Sequence, residues 1–473
     1  MSSPSALSAR LHNVRDDIGR GFDTRLIAPL VLGAILNPVN SSTIAVALVP
    51  IGLALGASTA QTAWLVSGLY LATAVGQPVV GRLVDRYGVR SVYLGATALV
   101  GIAGFAGSVA PNLVMLVIAR VVLGLGTCAG YPSAMALIRS EGKRTGVDSP
   151  SGILAILSLS AQTIFVIGPT LGGLLISAFG WRSVFLINVP LALGCCYYGI
   201  TRLPKAQRAD AATASAWRLL DVPGMTFFGL MLASAMWLLM KPSVQHLWLL
   251  GIVLISGAAF VWRELHVTEP FIDVRPLWAN TPLLLTYARQ LLGGIVSYSF
   301  IYGFTQWLET SRGLSSSQTG LTVLPMAVAA VVATAVTGRH APVRGKLLVG
   351  AILQLVGCAL VLTLHSGSSL LFLVAIAVVV GIPQGLLGLA NQNALYHQAD
   401  PQRIGSSAGL LRTFMYGGAI LAAVGNAAAF GSTATTDGLR TLASWLLIVG
   451  GILLVLVLID RSLGAIGRTA STQ

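Results

Sequence analysis

Three arginines lie inside long apolar stretches of this chain, where a charge is costly. Arg120 stands in "MLVIARVVLGLG", and Arg289 and Arg412 stand in comparable stretches. A guanidinium at the middle of a bilayer costs about 2.5–3.5 kcal/mol on the insertion scale, so it needs a partner or a wet cavity. Arg120 lies well inside its stretch, whereas Arg289 and Arg412 are close enough to one end to snorkel. We therefore predict a functional role for Arg120 and treat Arg289 and Arg412 as candidates for ligand binding.

Uncharged polar residues form a second group of candidates, and several share the segment "NPVNSSTIAVALVP" (37–50). No residue of that segment can ionise. We predict that such side chains line a cavity in which Tyr298 and Tyr302 stack on a planar or cationic ligand. The alternative is that they only form hydrogen bonds between helices. The uncharged polar candidates are Asn37, Asn40, Ser41, Gln77, Gln162, Gln384 and Asn391.

The composition identifies the kind of protein that must position these residues. The chain has 473 residues, of which 55% are hydrophobic and only 9% charged, and its mean hydropathy is +0.82. Soluble proteins carry about 25% charged residues, so we expect an all-α membrane protein in a lipid bilayer. The alternation of a β-barrel is absent. The net charge of +14 comes from short loops beside apolar stretches, which indicates topology-setting charge rather than nucleic-acid binding.

Fourteen transmembrane helices are predicted from the apolar stretches, as two six-helix bundles with an extra central pair. The bundles occupy residues 26–203 and 281–460, and the extra pair lies in the linker 204–280. Lys and Arg concentrate in alternate loops, which predicts that this side, with the tails 1–25 and 461–473, is cytoplasmic. We expect a multi-pass protein of a bacterial inner membrane.

An internal repeat supports this division into two bundles. Gly81-Arg82 is followed by Gly88, and Gly338-Arg339 is followed at the same spacing by Gly345. Both loops come after the second span of a six-span block. Repeated halves are typical of secondary transporters that open a central site to either side of the membrane.

Several motifs of the sequence together resemble those of a known transporter family. "GRLVDRYGVR" (81–90) is similar to the loop signature of the major facilitator superfamily, and Arg120 with "VVLGLG" resembles its span-4 motif. "GPTLGG" (168–173), "WRSVFLINVP", "LDVPG" and "GLSSSQTGLTVLP" resemble its fourteen-span drug:proton antiporter branch. The resemblance implies the major facilitator fold and alternating access by rocking of two bundles.

The resemblance also implies roles for single residues. Glycines at tight turns and charges beside them form a conformational lock between spans, and Gly168-Pro169 forms an antiporter hinge or seal. The family's usual glycine four positions before Gly168 is Ile164 here. The residues given a conformational role are Gly81, Asp85, Arg86, Gly88, Arg90, Arg120, Gly168 and Pro169.

Proton coupling is the point at which the chain departs from that family. Span 1 of the resembled antiporters carries an acidic residue at the position that Ser41 occupies here. None of the Asp and Glu residues of this chain lies near the middle of an apolar stretch. Coupling therefore falls to Glu309 or Asp85 at the span ends, or it is weak or absent, or the cargo is anionic or brings its own proton.

The resulting functional prediction is a secondary transporter that exports amphipathic small molecules. A carrier of an organic anion or an endogenous metabolite is the alternative, and a receptor-like membrane protein without transport is a third possibility. No enzyme motif, metal cluster or phosphate loop is found, so we expect neither catalysis nor a cofactor beyond an ion gradient, in which the proton is the expected ion. We expect a monomer whose partners are its small-molecule substrate and the lipid bilayer.

Overall fold

The computed structural model describes residues 23–145, 151–204, 221–240, 243–267, 280–337, 342–399 and 404–464. Within these residues the backbone forms helices and no strand. The helices are α1 (Ile27–Thr43), α2 (Leu48–Leu55), α3 (Thr59–Tyr87), α4 (Val89–Ser108), α5 (Leu113–Thr127), α6 (Gly130–Thr145), α7 (Ser151–Phe179), α8 (Ser183–Leu186), α9 (Asn188–Arg202), α10 (Val222–Met240), α11 (Trp248–His266), α12 (Thr281–Ser299), α13 (Thr305–Thr310), α14 (Ser316–Thr337), α15 (Val343–Leu362), α16 (Leu370–Gln398), α17 (Ile404–Phe430) and α18 (Thr436–Ile459).

The membrane class is confirmed. Eleven helical segments of the described residues are long and apolar enough to cross a membrane. The predicted number of fourteen is not reached by that criterion, because α3, α7 and α12 fall outside it. The tails 1–22 and 465–473 lie outside the described residues.

Two long helices change their geometry near the middle of the molecule. α1 continues into α2 through the 3₁₀ segment Ile44–Val46, and α12 continues into α13 through the π-helical segment Phe300–Phe304. π-helical turns are rare in proteins, and those that occur are often found at functional sites. Both irregular segments are buried.

The helices pack as two groups. Those from α1 to α9 contact one another, as do those from α12 to α18, and α7 packs on α14 while α3 packs on α17 across the boundary. The exact domain boundaries stay a prediction. The extra pair, α10 and α11, packs on itself, and α10 touches both α3 and α17. The rings of Trp64 and Trp237 meet at 5.7 Å in this contact.

The two groups are joined most tightly at one side, which we call the distal face. It is the side on which α2 ends and α3 begins; the terminal face is the other side, where α1 begins and α18 ends. The backbone N–H groups of Thr59 and Ala60 donate to the carbonyls of Ser432 and Gly431 at 3.1 and 3.0 Å. The first N–H groups of a helix have no partner within that helix. The start of α3 in one group is therefore capped by the end of α17 in the other.

Candidate functional site

Arg120 is almost completely enclosed, with 1% of its surface exposed. Its Nε donates to the carbonyl of Leu65 at 2.9 Å, and its Nη1 donates to the carbonyl of Asn40 at 3.0 Å. Its Nη2 has no hydrogen-bond partner among the described residues. None of the ion pairs of the described residues includes Arg120. Among the described residues, only backbone carbonyl dipoles therefore hold the charge.

The polar segment of α1 mostly bonds within its own group of helices. Asn40 and Asn188 exchange hydrogen bonds at 2.6 and 2.9 Å. The hydroxyl of Ser41 donates to the carbonyl of Asn37, one turn earlier. Asn40 and Ser41 are both 2% exposed, whereas Asn37 is half-buried and donates to Thr127 Oγ1 at 3.1 Å. Of the three candidates from this segment, Asn37 alone has an accessible side chain, and Asn40 fits the alternative of a bond between helices.

A cluster of tyrosines fills the boundary between the two groups beside Arg120. The ring of Tyr70 lies 5.3 Å from that of Tyr298 and 5.5 Å from that of Tyr416. The hydroxyls of Tyr70 and Tyr302 are 3.0 Å apart, and Tyr302 donates to the carbonyl of Ser41 at 2.7 Å. Phe165 of α7 adds an edge-on contact to Tyr298 at 6.0 Å. The structure thus brings Tyr298 and Tyr302 together, as predicted candidates, with three rings from other helices.

Arg412 lies nearer the terminal face and also bridges the groups. Its guanidinium stacks over the ring of Tyr131 at 3.7 Å, which is a cation–π contact between α17 and α6. Arg412 is half-buried, so it is more accessible than the other two span arginines. This position is compatible with its predicted role in ligand binding.

Arg289 is buried in an ion pair, whereas its predicted role in ligand binding requires an accessible guanidinium. It is 0% exposed and pairs with Asp460 at 2.5 Å, and it donates to Thr286 Oγ1 at 2.6 Å. Its Nε reaches Asn391 Oδ1 at 3.4 Å, and Asn391 donates in turn to Gln290. Arg289 and Asn391 therefore belong to one satisfied network that ties α12, α16 and the end of α18. Their predicted role in substrate binding receives no support from this geometry.

Of the remaining uncharged candidates, Gln384 and Gln77 have described side chains and Gln162 does not. Gln384 is half-buried and contacts Met326 Sδ at 3.5 Å, and Gln77 is half-buried on α3. The side chains of Gln162, Asp85 and Arg86 lie outside the described part of the molecule.

The loop signature is described at three of its five predicted positions. Gly88 ends α3 with a φ of +80°, a conformation that glycine adopts at no steric cost. Arg90 donates to the carbonyl of Ile200 at 2.9 Å, which ties α4 to α9. A Cβ added at Gly81 would meet nothing within 4 Å, so close packing does not require that glycine.

The glycine-rich segment of α7 lies at the boundary between the groups. A Cβ at Gly168 would lie 1.8 Å from Ser42 Oγ, and one at Gly173 would lie 2.3 Å from the carbonyl oxygen of Ser316 in the other group. Thr170 donates to the carbonyl of Gly320 at 2.9 Å. Gly173 and Gly320 thus permit backbone-to-backbone contact between α7 and α14, whereas Gly168 meets Ser42 within its own group, and the predicted hinge or seal at Gly168-Pro169 stays a prediction.

Glu309 lies in the last turn of the α12–α13 segment, at the distal face. Both of its carboxylate oxygens are enclosed, and neither accepts a hydrogen bond from a described residue. Burying a carboxylate without a partner is costly, so this position is suited to a group that changes protonation.

Three residues of this region were not among the sequence candidates. Tyr416, Asn188 and Asp460 contact Tyr70, Asn40 and Arg289 respectively. Asn188 stands in the "FLINVP" motif, which was a usable signal. Asp460 sits at a span end, where a carboxylate normally faces water, so only the fold reveals its partner.

Comparisons with known proteins agree with the geometry. A family model described as "Major Facilitator Superfamily" matches residues 30–423. The chain is 31% identical to the uncharacterised MFS-type transporter YwoD of Bacillus subtilis over 93% of this chain and 96% of that protein. It is 29% identical to the tetracenomycin C resistance and export protein of Streptomyces glaucescens, covering 85% of this chain and 74% of that protein.

Solved structures show the same fold at low sequence identity. A proton-dependent oligopeptide transporter superposes with a TM-score of 0.66 at 14% identity, and the nucleoside transporter NupG with 0.63 at 14%. Each match covers 94% of this chain and 99% of the other.

Proposed function

This chain belongs to the Major Facilitator Superfamily, and on that premise we propose that it exports amphipathic small molecules by alternating access. It is a transporter family member and not an enzyme. Relatives named for antibiotic resistance and export, including the methylenomycin A resistance protein of Streptomyces coelicolor at 30% identity, support export as the direction.

The observation that carries the proposal is the one-sided closure of the boundary between the groups. Within the described residues, the hydrogen bonds that cross this boundary join α3 to the end of α17, α7 to α14, and the α1–α2 segment and Tyr70 to the α12–α13 segment. All of them lie in the distal half. Arg412 over Tyr131 is the contact nearer the terminal face. A boundary closed at one face is the geometry expected of one end state of a rocking transporter.

We place the terminal face in the cytoplasm, because Lys and Arg concentrate in its loops. The state described here is then closed to the outside. We also propose that α3, α7 and α12 cross the bilayer, which gives fourteen spans. The helices α3 and α7 each have 29 residues, and α12 continues through the π-helical segment into α13, so all three are long enough to cross.

Substrate passage is assigned to the boundary around the tyrosine cluster and Arg412. Aromatic rings contributed by both groups suit a flat amphipathic molecule, since such rings combine large apolar area with polar hydroxyls. Rocking of the groups separates these rings, so a ligand held between them is released on one side.

Exchange across liposomes tests the proposal. Purified protein is reconstituted with unlabelled 2-naphthoate or ethidium inside, and entry of the labelled compound is followed. Protein-dependent counterflow of either compound is expected. No counterflow of either one, with correctly folded protein, contradicts the proposal in favour of a receptor-like role.

Proton coupling is assigned to Glu309. If its carboxylate takes part, Glu309→Gln abolishes the response of transport to an imposed pH gradient while counterflow without a gradient continues. Glu141→Gln, at a half-buried carboxylate near the end of α6, is the matched control. An unchanged pH response of Glu309→Gln contradicts this assignment.

A further inference from the structure

No carboxylate of the described residues pairs with the buried charge of Arg120. The side chain is 1% exposed, and its Nη2 has no partner among the described residues. Its two hydrogen bonds end on backbone carbonyls of Leu65 and Asn40. Carbonyl dipoles offset only part of the cost of removing a guanidinium from water, and a carboxylate in bidentate contact offsets more.

No described group of the protein supplies that charge. The four ion pairs of the described residues involve Glu141, Asp221, Asp437 and Asp460, and their cationic partners are other arginines. Ser41, on the turn of α1 next to the Asn40 carbonyl, carries a neutral hydroxyl that donates to its own helix. Among the described residues, the site therefore consists of a fixed cation and a spare donor without an anion.

The covering of Arg120 is of a kind that can move. Tyr302 reaches over this region to the carbonyl of Ser41, and it lies in the π-helical segment Phe300–Phe304. Tyr302 belongs to one group of helices, whereas Arg120 and Ser41 belong to the other. The bond between Tyr302 and Ser41 crosses the boundary between the groups, so movement of one group against the other breaks it and uncovers the guanidinium beside the rings of Tyr70 and Tyr298.

We propose that an acidic group of the cargo supplies the missing charge, so that the transported molecule is an aromatic carboxylate or a similar organic anion. The proposal rests on the proposed export function and narrows its substrate class. The acid binds Nη2 and the neighbouring donors of Arg120, and the aromatic part stacks on the tyrosine cluster. A cationic amphiphile meets an uncompensated arginine and binds more weakly.

A pair of isosteric probes tests this inference. 2-Naphthoate and the uncharged 2-naphthamide are titrated into purified protein, and apparent affinity is taken from the rise in Tm. The wild type is expected to bind the acid about tenfold or more tightly than the amide, as a charge-assisted hydrogen bond implies. Equal responses to the two probes, including none to either, overturn the proposal.

Two variants locate the preference at Arg120. Ser41→Asp places a carboxylate on the neighbouring turn and is expected to remove the preference for the acid without loss of stability. Arg120→Gln is expected to remove it as well. Arg344→Gln, at an exposed arginine that contacts the Leu458 carbonyl within one group, is the control and keeps it. Persistence of the preference in both Ser41→Asp and Arg120→Gln overturns the assignment.

Transport is scored separately from binding. If the protein prefers the acid in Tm measurements but moves neither probe in liposomes, the anion site is supported and the proposed export function is contradicted. A protein that exchanges both probes equally, with no preference in binding, retains the exporter and refutes the anion site.

Discussion

Arg120 and Arg289 are equally buried, but they differ in their partners and in their position relative to the boundary between the groups. Arg289 has a carboxylate partner in Asp460, and its other donors end on Thr286 and Asn391. In the part of the chain that the structure describes, Arg120 has two backbone carbonyls as partners and one unused donor. Arg289 lies within one group of helices, whereas Arg120 lies beside the boundary that the tyrosine cluster fills.

This difference separates an arginine that stabilises the fold from an arginine that takes part in function. A satisfied ion pair inside one group stays constant while the groups rock, so it contributes to stability alone. An unpaired charge beside a movable boundary is costly in the resting protein and is retained because something binds it. Burial by itself does not distinguish the two cases.

The largest effect on stability is expected at Asp460. Replacement by Ala leaves the guanidinium of Arg289 buried without a counterion, and breaking a buried pair in this way costs about 3–5 kcal/mol. We expect Asp460→Ala to give little folded protein and a strongly lowered Tm in detergent.

A double variant serves as the control for Asp460. Arg289→Met with Asp460→Leu replaces the pair by apolar side chains and is expected to recover most of the lost stability, because apolar replacement of a buried pair is often neutral. If Asp460→Ala melts like the wild type, the pair of Arg289 and Asp460 does not stabilise the fold.

A smaller effect is expected at Tyr302. Tyr302→Phe keeps the ring but removes the hydrogen bonds to Ser41 and Tyr70, each worth about 0.5–1.5 kcal/mol. These bonds join the two groups, so their loss favours opening at the distal face. Labelling of a cysteine placed at Ser41 by a membrane-permeant maleimide is expected to accelerate in Tyr302→Phe. An unchanged rate contradicts the covering role of Tyr302. Tyr287→Phe, at a tyrosine within one group, is the matched control.

The smallest effect on stability is expected at Arg120 itself. Arg120→Gln removes a charge that has no counterion among the described residues and keeps a donor for the Leu65 carbonyl, so we expect the Tm to change by the equivalent of about 1 kcal/mol or less. Transport of 2-naphthoate is expected to fall about tenfold. A collapse of folded protein comparable with that of Asp460→Ala removes the distinction between the two arginines.

The sequence was informative where local chemistry decides the outcome. Its position deep in an apolar stretch predicted that Arg120 needs a partner or a wet cavity, and the structure gives it two backbone carbonyls. The resemblance of "GPTLGG" predicted a hinge or seal in a segment where the structure places close helix contacts. The all-α membrane class followed from composition and the length of the apolar stretches, whereas the major facilitator fold followed from the resemblance of the motifs.

The sequence was uninformative where the outcome depends on contacts between distant residues. The partners Asn40 and Asn188 are 148 positions apart, and Arg289 and Asp460 are 171 apart. Nothing local in "LVLIDRS" marks Asp460 as a buried counterion, and nothing local separates a cavity-facing amide from one that bonds a neighbouring helix. Arg289 and Arg412 therefore looked alike before the fold distinguished them.

Cross-linking of the distal face tests the central claim most directly. The hydroxyls of Ser177 and Ser317 lie 2.6 Å apart across the boundary between the groups, so a disulfide between Ser177→Cys and Ser317→Cys holds that face closed. The oxidised double variant is expected to lose counterflow of 2-naphthoate and to regain it on reduction, whereas each single variant stays active under both conditions. Full counterflow in the oxidised, cross-linked protein contradicts alternating access through this boundary.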